Sequence, residues 1–304
     1  MSDPRLLIVT GKGGVGKTTV TAAIGRATSR VGLRTLLVET ASPGRLANVL
    51  RVPSLEAEPR PVGERLDAVA LDADRALASF VQSLVPLRLL SNALLASDTF
   101  RIVAAAVPGI AEAAMLSQLL AWLEPRGLRR PAWDRIVLDA PASGHSAPLL
   151  STPETLGGIA SVGPLGTSLR RMSEWLRDPA RTRAFVVAIP EAWAVAEAAE
   201  LRAVLRDEVR VPLAPPIANA VFPRRFAAAD EERLLSERAA GSVDDRLIAA
   251  GLYFLRRRGD EKSHLRELRR ATGEIPVELP FVFDPDVRLD RLDPVAAAIA
   301  EVLP

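Results

Sequence analysis

The sequence predicts an α/β chain, a mainly parallel, doubly wound sheet with helices on both faces and a helical subdomain inserted in it. Three observations carry this. Short apolar runs of strand length alternate with stretches whose apolar residues repeat at helical spacing. The first run feeds a glycine-rich loop that opens into a helical pattern. From residue 74 to residue 131 the helical pattern is too long for one crossover. That stretch is read as an insert, joined by residues 158–183, within a single domain spanning residues 1–304.

Residues 6–9 (LLIV) form the first buried strand. From Thr18 onward Val20, Ile24, Ala27 and Val31 mark a helix, and Gly32 stands where a C-terminal cap belongs. Further strands are expected at residues 36–38, at residues 66–71 (LDAVAL) and at residues 135–138 (RIVL), which lead into Asp139. Residues 184–189 (AFVVAI), 216–221 (PIANAV) and 277–280 complete the series. Residues 224–272 are helical and strongly charged, a pattern that fits a solvated amphipathic face. The tail, residues 294–303, carries no lysine or arginine and is expected to pack on the core.

Composition narrows the function. Hydrophobic residues make up 48% of the chain and charged residues 25%, as in an ordinary globular protein. A net charge of +2 gives no footprint for nucleic acid. With no cysteine, disulfides, thiolate metal sites and cysteine nucleophiles are excluded. Residues 76–97 hold one charge, Arg88, and residues 102–123 hold one, Glu112. Pro86 and Pro108 interrupt them, so they are read as helices of a soluble, cytoplasmic protein without a membrane span.

Residues 11–18, GKGGVGKT, match G-x-x-x-x-G-K-[ST] between a strand and a helix. There Gly13, Gly14, Val15 and Gly16 present backbone N–H groups to phosphate, Thr19 follows inside the helix, and the helix N-terminus favours negative charge. Lys17 is expected to reach the β- and γ-phosphates of ATP or ADP, and the Thr18 hydroxyl to ligate Mg²⁺. Asp139, at the C-terminal end of a strand, is the natural second Mg²⁺ ligand.

A second lysine, Lys12, makes the loop resemble the deviant Walker A class of P-loop ATPases, which includes ParA, MinD and ArsA-type proteins. That resemblance implies that Lys12 crosses a dimer interface to the partner's phosphates. Residues 139–146 (DAPASGHS) resemble the D-T-A-P-T-G-H-T motif of the ArsA and guided-entry family, which includes arsenite-pump ATPases and a tail-anchored-protein targeting factor. The strand followed by Asp72, the segment PGIAEA at residues 108–113, VAIPE at residues 187–191 and PIAN at residues 216–219 match further family segments in order. The resemblance implies that Asn219 reads adenine, with Pro280 among the nucleotide-binding residues. It also implies an apolar groove in the helical insert for a hydrophobic client helix, and assembly as a homodimer or with a paralogue.

Where the family carries S-T-D-P-A-H, this chain has Glu39-Thr40-Ala41-Ser42-Pro43-Gly44. Ala41 stands at the aspartate that positions the attacking water, so hydrolysis is expected to be slow unless Glu39 substitutes. Neither arsenite-binding nor zinc-binding cysteines are present. The alternatives are a catalytically inactive subunit that pairs with an active paralogue, and a ParA- or MinD-like partitioning ATPase.

Overall fold

β1 (Leu6–Gly11) is buried along its whole length, and its position in the sheet explains why. It lies between β5 (Arg135–Ala142) and β6 (Thr182–Ala188), paired in parallel with both. This computed structural model describes residues 3–40, 44–85, 87–97, 106–124, 130–227, 229–241, 244–284 and 287–303. Among them the sheet has eight strands in the order β3-β4-β2-β5-β1-β6-β7-β8. β2 (Thr35–Glu39), β4 (Leu66–Ala70), β7 (Ile217–Val221) and β8 (Val277–Pro280) are also parallel to their inner neighbours. The chain leaves β1 toward β2 on one side, and later crosses from β5 to β6 on the other. Right-handed crossovers in opposite directions put helices on both faces and open a crevice at the carboxyl ends of β1 and β5.

The sequence reading missed one strand. β3 (Arg60–Gly63) pairs antiparallel with β4 at the sheet edge, joined through Arg65 with φ of 53°. Pro61 removes a ladder donor and reads as loop, but an edge strand tolerates it. The charged helical region also begins later than the sequence suggested. Its helices are α9 (Asp230–Ala240) and α10 (Asp245–Thr272).

α1 (Lys17–Arg30) starts at Gly16 and ends with Gly32 in the left-handed region, as its pattern predicts. Its buried face carries Val20, Ile24 and Ala27. The tail helix α11 (Asp293–Ala300) packs on α1 through Val295, Ala296 and Ile299, and Arg26 and Arg30 both pair with Asp293. Between β4 and β5 stand α3 (Ala73–Leu84), α4 (Arg88–Ala96) and α5 (Ile110–Leu123). α3 and α5 pack together through Phe80, Leu116 and Leu120. α6 (Ser143–Ile159) and α7 (Gly163–Arg177) lie against α5.

Of the apolar side chains in this region, Phe80, Val81, Leu116 and Leu119 are buried. Leu87, Leu89 and Leu90 face out. Ile102 and Val103 lie outside the described residues. No helix among the described residues is long and apolar enough to cross a membrane.

Candidate functional site

The turn from β1 into α1 is held by glycines whose conformations other residues resist. Gly11, Gly14 and Gly16 have φ of 143°, 89° and 89°. A Cβ on Gly16 would stand 2.2 Å from Nδ2 of Asn219, so the loop can descend onto β7 only with glycine there. Asn219 is buried, and its Nδ2 donates to the Val15 carbonyl at 2.9 Å. This ties the floor of the loop to a strand two places away in the sheet. Val15 is itself buried. Pro280 pairs in register with Val221 on the neighbouring strand and is half-buried.

The loop forms one wall of a cavity of about 470 Å³. Gly13, Gly14, Gly16, Lys17 and Thr18 line that wall, and Asp139–Ala142 form the floor. Arg45, Asn48 and Val49 face them from α2 (Arg45–Leu50). The volume lies within the range of small-molecule sites. Asn219, Pro280, Glu39, Thr19 and Lys12 are not on its lining.

Parallel pairing of β1 and β5 brings Thr18 and Asp139 together across 121 residues. The Thr18 hydroxyl donates to Oδ2 of Asp139 at 2.7 Å. Oδ1 of Asp139 is buried and has no hydrogen-bond partner among the described residues. Burial pushes the Asp139 carboxyl up to about 6, with Glu39 adding to the push, while Thr18, Lys17 and Arg45 act against it. A hydroxyl and a carboxylate side by side, with one buried oxygen unsatisfied, are a donor set that fits Mg²⁺. Among the described residues no group of three or more histidine, aspartate or glutamate side chains is arranged to hold a metal by itself.

Lys17 donates to the Lys12 carbonyl at 3.0 Å, within its own loop. Burial lowers its ammonium pKa, Asp139 opposes this, and Arg45 lowers it further. Lys12 is half-exposed and points away from the cavity. Its Nζ pairs with Glu197 on α8 (Ala192–Val204) and lies 4.9 Å from the ring centre of Trp193. Ser143, just after the Asp139 strand, donates to the same Glu197 carboxylate. Burial opposes ionisation of Glu197 most, but hydrogen bonds from Lys12 and Ser143 outweigh it and hold the pKa low. These partners on α8 carry no sequence motif, and sequence reasoning missed them.

Glu39, weighed as a substitute for the missing aspartate, is almost fully buried at the end of β2. Its two carboxylate oxygens accept the backbone N–H groups of Gly44 at 3.2 Å and Leu46 at 2.9 Å. It therefore pins the start of α2. Ala41 lies outside the described residues.

A profile of the anion-transporting ATPase family matches residues 4–163, just over half of the chain and including the loop, Asp139 and the helices between them. The chain belongs to the ArsA family of ATPases. Membership places it among ATP hydrolases, a family that binds nucleotide. It is 26% identical over 260 residues to the ATPase BagA of Mycobacterium tuberculosis, covering 83% of this chain and 74% of that protein. It is 28% identical over 207 residues to the arsenical pump-driving ATPase of Acidiphilium multivorum, covering 61% of this chain and 34% of that protein. The chain thus spans about a third of that longer relative.

Proposed function

We propose that the chain is a cytoplasmic, Mg²⁺-dependent ATPase of the deviant Walker A class whose nucleotide state governs assembly and an apolar partner surface. The observation that carries this is Thr18 bonded to Asp139 beside Lys17, with Oδ1 of Asp139 unsatisfied, at the mouth of a glycine loop. The backbone N–H groups of Gly13–Gly16 receive phosphate oxygens, and Lys17 leaves its loop carbonyl to neutralise the terminal phosphates. Thr18 and Asp139 would hold Mg²⁺, which would offset charge on the terminal phosphates. Asn219 and Pro280 flank the adenine side, where Asn219 also keeps the loop low.

Hydrolysis is slow in this reading. Ala41 supplies no carboxylate, and Glu39 is occupied by Gly44 and Leu46. Glu39→Gln loses one of two charge-assisted acceptors and should cost about 1–2 kcal/mol of stability. It should leave phosphate release within a few-fold of wild type. A loss of a hundredfold or more would instead make Glu39 the general base. A catalytically silent subunit paired with an active paralogue is the second reading, favoured by Ala41. Phosphate release that appears only when a paralogue is added would select it.

Lys12 serves the dimer, with the two loops facing each other so that each Lys12 reaches the partner's phosphates. To do so it must leave Glu197 and Trp193. A half-exposed ion pair is worth about 0.2–1 kcal/mol, so this contact is weak enough to be exchanged. Glu197→Gln should raise the dimer fraction with a nonhydrolysable ATP analogue by up to about fivefold. Lys12→Ala should lower it while leaving nucleotide binding to one subunit nearly intact. Light scattering that shows a strict monomer for all three proteins, with and without paralogue, removes the dimer. The partner surface lies at α4, where Leu87 at its N-terminal cap and Leu89 and Leu90 within it are exposed apolar side chains available to a hydrophobic client helix.

A further inference from the structure

Arg45 faces the nucleotide cavity directly, and neither phosphate cradling nor metal binding uses its side chain. α2 is short, and its placement is fixed from below. Leu46, Ala47 and Leu50 are buried in the core, and Glu39 holds the backbone of Gly44 and Leu46. The residues left to face outward at helical spacing are Arg45, Asn48 and Val49, and all three line the cavity. Among the described residues Arg45 makes no hydrogen bond or ion pair. Lys17, a second cation, lines the same cavity, as does the Asp139 carboxylate. One carboxylate does not balance two cations, so the pocket keeps a positive charge that a bound anion would offset.

The sheet order decides which part of the nucleotide that anion is. α2 follows β2, which adjoins β5, the strand that delivers Asp139. Asn219 and Pro280 lie on β7 and β8, on the far side of β1. Arg45 is thus on the Thr18–Asp139 side of the loop. A Mg²⁺ ion that Thr18 and Asp139 would hold would offset charge on the terminal phosphates, so those phosphates would lie on that side.

We propose that Arg45 is a further catalytic residue, an arginine supplied by the same chain that contacts the γ-phosphate and stabilises the charge it carries as the terminal bond breaks. In the reaction water adds to the γ-phosphorus, the bond to the β-bridging oxygen breaks, and ADP leaves with that oxygen's electron pair. The water's protons pass to phosphate and solvent. No covalent bond to Arg45 forms, and its fork of N–H donors supplies charge only. This inference rests on the nucleotide reading above.

The test compares the full-length wild type with Arg45→Gln and Arg45→Lys, all three checked by thermal melting. Affinities are measured with Mg²⁺ for ADP, for ATPγS and for ADP with aluminium fluoride. Arg45→Gln should weaken ATPγS and the aluminium fluoride complex by roughly tenfold or more, with ADP within about threefold. Its phosphate release should fall by about a hundredfold or more, with Arg45→Lys between the two. An unchanged ratio of ATPγS to ADP affinity in Arg45→Gln overturns the assignment, because a solvated surface arginine would give that result. Wild type that binds none of the three probes overturns the nucleotide reading, and this inference with it. Wild type that binds them while Lys17→Ala does not leaves that reading standing whatever Arg45 does.

Discussion

Asp139→Asn is expected to make the nucleotide-free protein more stable near neutral pH while removing its response to Mg²⁺. The carboxyl is buried, one of its oxygens is unsatisfied, and its pKa is raised from 3.8 to about 6. For an acid whose folded pKa is raised, the favourable contribution is complete below about pH 4 and is lost as pH rises through about 6. Above pH 7 the ionised Asp139 therefore costs up to about 3 kcal/mol, since each pKa unit corresponds to about 1.4 kcal/mol. Asparagine keeps the shape and the bond to Thr18 but carries no charge. After allowance for its own amide, a gain of about 1–2 kcal/mol remains. Denaturant unfolding at pH 4 and at pH 7.5 isolates the effect. The two proteins should differ little at pH 4, and the variant should be the more stable at pH 7.5. With ATP present, Mg²⁺ should stabilise the wild type alone. A variant less stable than wild type at pH 7.5 would mean that Asp139 is a structural partner of Thr18 and not a carboxylate kept waiting for a cation. Stability given up at a functional site is a common trade.

Much of this architecture is legible in the order of residues alone. The loop at residues 11–18 carries its own geometry, because phosphate binding from backbone N–H groups needs glycine where φ is positive, as at Gly14 and Gly16. Asp139 is legible because the apolar run before it is long enough for a buried strand, and a carboxylate at its end has few structural uses. Position across the sheet is not legible. Nothing in local periodicity shows that Asn219 lies under Gly16, or that Glu197 meets both Lys12 and Ser143. These contacts come from strand order, which joins segments far apart in the chain. Glu39 shows a different limit. A carboxylate beside a phosphate loop suggests catalysis, whereas the fold commits it to two N–H groups at the start of α2. β3 escapes notice because its strand pattern is only four residues long and contains Pro61.

The largest effect on binding is expected at Lys17. It lines the cavity wall beside the glycines and Asp139, and among the described residues its ammonium donates to the carbonyl of Lys12. A phosphate offers it charge-assisted bonds in a partly buried site, each worth about 1.5–3 kcal/mol. That corresponds to a loss of roughly tenfold to more than a hundredfold when the ammonium is removed. Alanine also removes a partly desolvated cation, so the fold should survive the change. Thermal melting of the nucleotide-free variant should be within a few degrees of wild type.

Titration calorimetry of Mg²⁺-ATP into wild type and Lys17→Ala tests the central claim most directly. Saturable binding at one site per chain is expected in the wild type, weakened at least tenfold in the variant and weakened in the wild type when Mg²⁺ is chelated. Equal ATP affinity in the two proteins, indifferent to Mg²⁺, would place the nucleotide elsewhere and contradict that claim.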